Sequence, residues 1–123
     1  MGMERIIELP AGGVPAWATI REQLHRVGEV AVLRMIDGLP AFPDEIPEPG
    51  WKELRVGLSA GMVTLRTAPQ GLLCVVWGNA DPSLRTSWDK LCWAAAAVGG
   101  TVQTPSGPLD ATAFAQSVGL TPT

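Results

Sequence analysis

The sequence predicts a single α+β domain of β-α-β-β-β-β-α order: a mostly antiparallel sheet of four or five strands, two helices on one face, and a C-terminal tail. Three observations carry this. A strand-like run is followed by a helical pattern and a second strand-like run near the N-terminus. Three apolar runs then follow one another across short Gly-containing connections, as in a meander. A long helical pattern from Pro82 comes next and stops at Gly99-Gly100. At 123 residues one domain is expected, with residues 1–100 forming it and residues 101–123 a tail packed on it.

The first strand is "RIIEL", broken by "PAGGVP". In Ala16 to Val27, Trp17, Ile20, Leu24 and Val27 share a helix face, with Arg21, Glu22 and Arg26 largely off it. Pro15 suits the first helical turn, and Gly28 suits a left-handed stop. Glu29 to Ile36 is apolar and β-branched, a second strand. A short strand–helix–strand connection implies a right-handed crossover and parallel strands. "DGLPAFPDEIPEPG" holds four prolines in fourteen residues and reads as a loop or edge segment. "KELRVGL", "MVTLRT" and "LLCVVW" form the meander, joined by "SAG" and "APQG". "PSLRTSWDKLCWAAAAV" is the second helix. The tail carries a turn at "TPSGP" and a short helix near "LDATAFAQSV". This order resembles the half-repeat of the TATA-box-binding protein fold. The resemblance lies in element order and implies a fold, not a function.

Composition excludes several classes. A hydrophobic content of 46% excludes a disordered chain, and the length supports a core without a metal or disulfide staple. The net charge of −3 repels phosphate backbones at long range, so nucleic acid is an unlikely partner. "MGMERIIELP" has neither the layout of a signal peptide nor the Ser or Thr of a myristoylation site. No apolar run approaches the roughly 18 residues of a membrane span. Cys74 and Cys92 have no CxxC spacing and read as small core residues in a reducing compartment. A cytoplasmic protein is expected.

"VVWGNADPSLR" is the most chemical-looking stretch, where a strand runs into a helix N-terminus that could cradle an anion. Asp81 is placed to cap that helix and Pro82 to begin it, so the protein's own carboxylate fills the position. Gly78 and Asn79 suit the turn's unusual backbone angles. His25, the only histidine, lies beside the apolar stripe with no nucleophile partner. One His, two scattered Cys and the loop acids Asp37, Asp44, Glu45 and Glu48 match no metal-site spacing, so no metal and no cofactor are expected. No catalytic motif is readable, and the sequence leans away from an enzyme.

Five tryptophans stand beside two phenylalanines and no tyrosine. Trp17, Trp77 and Trp88 fit core positions by period, and Trp51 starts a strand. Trp93 points to the polar face of the second helix, among Arg85, Thr86, Asp89 and Lys90. It needs cover from the tail (Leu109, Phe114 or Leu120), a partner or a ligand. In "LLCVVW", Leu73, Val75 and Trp77 face one way and Leu72, Cys74 and Val76 the other, so both sheet faces are apolar. Two helices cover one face. The other calls for the tail, a ligand or, preferably, a second copy, because isologous dimers are the commonest assembly. Arg34, Arg55 and Arg66 come from three strands. On one outer face they would form an anion-binding patch, unless carboxylates such as Glu53 stand between them. The expected role is a binding or protein-interaction module acting as a homodimer, with Arg34, Arg55, Arg66 and Trp93 as candidate contact residues. The alternative is a small enzyme or ligand carrier with a pocket between the sheet and loop 37–50, lined by Asp44, Glu45, Trp51 and the arginines.

Overall fold

The computed structural model describes residues 3–10, 14–78 and 81–123. Eleven elements follow one another: β1 (Met3–Glu8), α1 (Trp17–His25), β2 (Val32–Ile36), β3 (Leu39–Pro40), β4 (Glu53–Leu58), β5 (Gly61–Ala68), β6 (Gly71–Val76), α2 (Pro82–Ala97), β7 (Thr101–Thr104), β8 (Gly107–Asp110) and α3 (Ala111–Val118). The described strands form one eight-stranded sheet in the order β3-β2-β4-β5-β6-β1-β7-β8. Every pairing is antiparallel.

The α+β class is as the sequence predicts, and so is the run of elements through α2 apart from β3, but the counts are larger. Eight strands replace four or five, and three helices replace two. Two short hairpins make the difference. Asp37-Gly38 turns β2 into the two-residue β3, with both turn residues at positive φ (51° and 83°), the Asp-Gly signature of a type I′ turn. The residues expected as tail build β7 and β8, which extend the sheet past β1, and then α3. Both edge strands are short and contain a proline, Pro40 and Pro108. β1 and β2 are not neighbours. Four antiparallel pairings separate them, so they run in the same direction, and the β4–β5–β6 meander occupies the space between.

Alternation along the central strands decides which side is buried. Leu54 and Val56 of β4, Val63 and Leu65 of β5, Leu72, Cys74 and Val76 of β6, and Ile7 of β1 project to one face and are fully buried. Helix α2 lies across β5, β6, β1 and β7 on this face, and α1 and α3 each pack against α2. Each large aliphatic side chain so buried contributes about 1.5–3 kcal/mol. Because α2 is enclosed by sheet and helices, Ser87, Trp88, Leu91, Cys92, Trp93 and Ala94–Ala96 are all buried, far beyond a single stripe. Trp88 fixes the crossing by donating its indole N–H to the Cys74 carbonyl at 3.1 Å. Arg5 reaches up from β1 to pair with Asp89, its guanidinium 3.8 Å from the Trp88 ring centroid.

Local signals set the connections. α1 begins at Trp17 with Ala16 as its N-cap, so Pro15 lies just outside the helix; Gly28 adopts φ 78° after it. Asp81 caps α2, accepting from the Leu84 N–H at 2.8 Å, and Pro82 follows at the first helical position. Gly78 takes φ 74°, while Asn79 lies outside the described residues. Gly71 opens β6 at φ 152°, where a Cβ would lie 2.3 Å from the Ile7 carbonyl oxygen; only glycine lets β1 approach this closely.

Glu29, just before β2, is the one fully buried carboxylate among the described residues. Its oxygens accept from the Ser59 hydroxyl (2.6 Å) and backbone N–H (3.1 Å), the Ser87 hydroxyl (3.5 Å) and Lys90 Nζ (3.4 Å). It thus ties the β4–β5 turn to α2. Burial alone would raise this carboxyl, but the Ser59 hydrogen bonds and the Lys90 charge outweigh burial and hold it below the ordinary glutamate value.

Two outcomes follow for stability. Asp81→Ala removes the cap and is expected to cost about 0.5–2 kcal/mol in urea denaturation. Glu29 contributes stability that is present above its unfolded pKa of about 4.3 and lost as pH falls through the lower folded value. Denaturation midpoints between about pH 6 and pH 3 should therefore fall less steeply for Glu29→Gln than for the wild type.

Candidate functional site on the open face of the sheet

The opposite face of the sheet carries no helix among the described residues. Register places its side chains in rows across the strands. One row is Met35, Arg55, Thr64, Val75 and Glu4, on β2, β4, β5, β6 and β1. The next, toward the open end of β4 and β5, is Val32, Gly57 and Met62, and Trp77 follows β6 directly at the same level. On the other side lie Glu53, Arg66, Leu73 and Ile6.

Trp77 dominates this surface. It is 55% exposed, whereas the other four tryptophans are buried. The expectation that Trp77 belongs to the core is therefore corrected. Period two groups it with Leu73 and Val75, and that side of β6 faces away from α2. Its ring lies 5.6 Å from the Arg66 guanidinium. Together with Arg55 and Met62 it lines a shallow cavity of about 400 Å³ floored by Thr64. Thr64 and Val75 are only 2% exposed although no helix covers them. Met62, 45% exposed, continues the apolar surface into a second hollow of similar size lined by Arg34, Met35, Gly57, Leu58 and Gly61.

The three arginines singled out by sequence share this face. Arg55 and Arg66 project from adjacent strands, and Glu53 stands between them, 2.6 Å from Arg66 Nε and 3.7 Å from Arg55 Nε. The second distance is too long for a hydrogen bond, and Arg55 Nε is buried with no acceptor among the described residues. Arg34 occupies a β-bulge, where the pairing of β2 with β4 shifts between Leu33 and Met35. Its Nε would lie 3.0 Å from a Cβ at Gly57, so the missing side chain is what lets the guanidinium rest on the sheet. The charge layout is uneven: Arg34, Arg55 and Arg66 lie on the β2–β5 side with Glu53 among them, and Glu4 and Glu8 lie on β1.

Trp93 is elsewhere. It is 3% exposed, beneath the Arg26 guanidinium at 5.3 Å from the ring centroid, beside Ala111 and Ala115 of α3 and Leu120 of the C-terminal segment. The chain supplies its own cover for this residue. The Pro-rich loop does border a groove of about 530 Å³, lined by Ile36, Asp37, Leu39, Glu45, Glu48 and Trp51 among others. Asp44 and the arginines are not part of its lining, and Trp51 is buried. The Asp37 carboxylate is engaged by the backbone N–H groups of Glu53 and Lys52, which hold it below the ordinary aspartate value.

Comparison with protein-family models, curated proteins and solved structures finds no match for this chain. Its chemistry is legible only in its own geometry. Among the described residues no three His, Cys, Asp or Glu side chains gather to hold a metal ion, and no helix is long and apolar enough to cross a membrane. His25 is exposed. Cys74 and Cys92 are both free and fully buried. Burial pushes the Cys74 thiol well above its ordinary value, and the neighbouring Cys92 adds to the rise.

Neither buried thiol should therefore react with Ellman's reagent in the native protein at about pH 8. Both should react on unfolding in guanidinium, giving two equivalents per chain. A fast native equivalent would show that the helix face opens.

Proposed function

We propose that this chain is a small cytoplasmic interaction module that works as a homodimer, docking through the open face of its sheet. The observation that carries this reading is the exposed indole of Trp77 on a helix-free face, lining one hollow with Met62 at the open end of β5. An apolar centre with charges around it is the composition of a recognition surface. Trp and Arg, the residues most enriched where binding energy concentrates, are the ones gathered here. A two-fold assembly is the simplest way for one chain to cover such a face with itself. The two buried, free cysteines fit a reducing compartment.

The groove beside loop 37–50 supports the alternative of a ligand carrier less well. Its carboxylates are partly spent on the turn, and no cation converges on it. Nucleic acid is disfavoured by Glu4, Glu8 and Glu53 on the same face as the arginines.

Trp77 reports on the assembly directly, because four of the five indoles are already dry. On dilution from about 100 μM to below 1 μM, tryptophan emission should shift to longer wavelength as Trp77 becomes wet, in step with a fall from dimer to monomer mass by light scattering. Trp77→Ala should abolish the shift and leave a monomer. A wild-type monomer at the highest concentration would end this reading.

A further inference from the structure

The open face carries enough asymmetry to fix how a second copy would sit on it. From the register and the charge layout we infer that two chains pack face to face about a two-fold axis running along β5, and that Arg34 of each inserts between Trp77 and Glu4 of the other. This rests on the reading of the open face as a self-interface and adds its geometry and contacts.

The argument starts from the strand order. In the row β2-β4-β5-β6-β1, β5 is central. A two-fold axis lying in the interface along β5 exchanges β4 with β6 and β2 with β1 while keeping the level along the strands. Met62 of one copy then meets Met62 of the other near the axis. Trp77, beside β6 at the level of Met62, comes over the partner's Gly57 on β4. Gly57 is where the Arg34 side chain crosses the sheet. An indole placed there stacks on a guanidinium that has no hydrogen-bond or ion-pair partner among the described residues. Glu4, exposed on β1, comes over the partner's β2 beside Met35, within reach of the same guanidinium.

Charge selects this axis over the other face-to-face choice. An axis across the strands at the level of the Met35–Glu4 row would lay β2 over β2 and β1 over β1, opposing Arg34 to Arg34 and Glu4 to Glu4. The axis along β5 instead sets Arg34 of each copy against Glu4 of its partner, while Arg66, on the axial strand, meets its own copy with its charge already answered by Glu53. The contacts are reciprocal, so each is made twice and none is left over to recruit a third chain.

The test uses two full-length variants, Arg34→Glu and Glu4→Arg, with wild type as reference and circular dichroism to establish folding. Both positions are exposed, so the folded state should be retained. Sedimentation equilibrium should show each variant alone dimerising at least about tenfold more weakly than wild type, because each opposes like charges twice. An equimolar mixture should recover wild-type affinity, since every opposed pair is then of opposite sign. If wild type is a dimer but neither reversal weakens it, or the mixture stays dissociated, the geometry is overturned and the self-interface reading survives. If wild type is a monomer, both fall.

Discussion

The packing of α2 across the sheet is the interaction on which the rest of this structure depends. Its Trp88 indole is pinned to the Cys74 carbonyl, its Asp89 to Arg5 of β1, and its Lys90 and Ser87 to the buried Glu29. Those contacts reach three separated parts of the chain. Glu29 also holds the Ser59 turn, so the same helix sets the end of the β4–β5 hairpin. With α2 fixed, the side of every central strand that faces it must be apolar, and the opposite side is released from that demand. The open face exists because one helix layer saturates the core of a small domain.

Much of the framework could be read from residue patterns because it is local. The apolar stripe Trp17–Ile20–Leu24, the capping Asp81-Pro82 pair and the two Gly-ended hairpin loops are encoded within a few residues, and all are found. The β7–β8 hairpin was not legible. Four-residue strands are too short to show a period, and Pro108 argues against a strand by itself. The separation of β1 from β2 is hidden from the sequence for a related reason. A strand–helix–strand run specifies direction, and the direction is right, but adjacency depends on whether later strands intervene.

The placement of Trp77 shows the same limit at the level of side chains. Trp93 occupies the polar side of its own helix, and α3, Leu120 and Arg26 close over it, the cover from the tail that the sequence offers. Trp77 ends an apolar run and looks like core, yet its parity puts it outside. Parity is readable, but which parity faces the helices is a tertiary fact. Of the candidate site, the shared face of Arg34, Arg55 and Arg66 was within reach of strand alternation. The role of Gly57 was not, because its meaning lies in the Arg34 side chain on the neighbouring strand.

The prolines at the two sheet margins reach beyond the fold of one subunit. An unpaired margin ordinarily offers a ladder of donors and acceptors to any passing strand, and such pairing has no natural end. Here each margin is only a few residues long, and Pro40 and Pro108 each delete a donor from it. Lateral growth into fibres is thereby discouraged at both rims. The exposed tryptophan and methionine lie on the broad face between these rims, so the rims and the face present different surfaces to a neighbour.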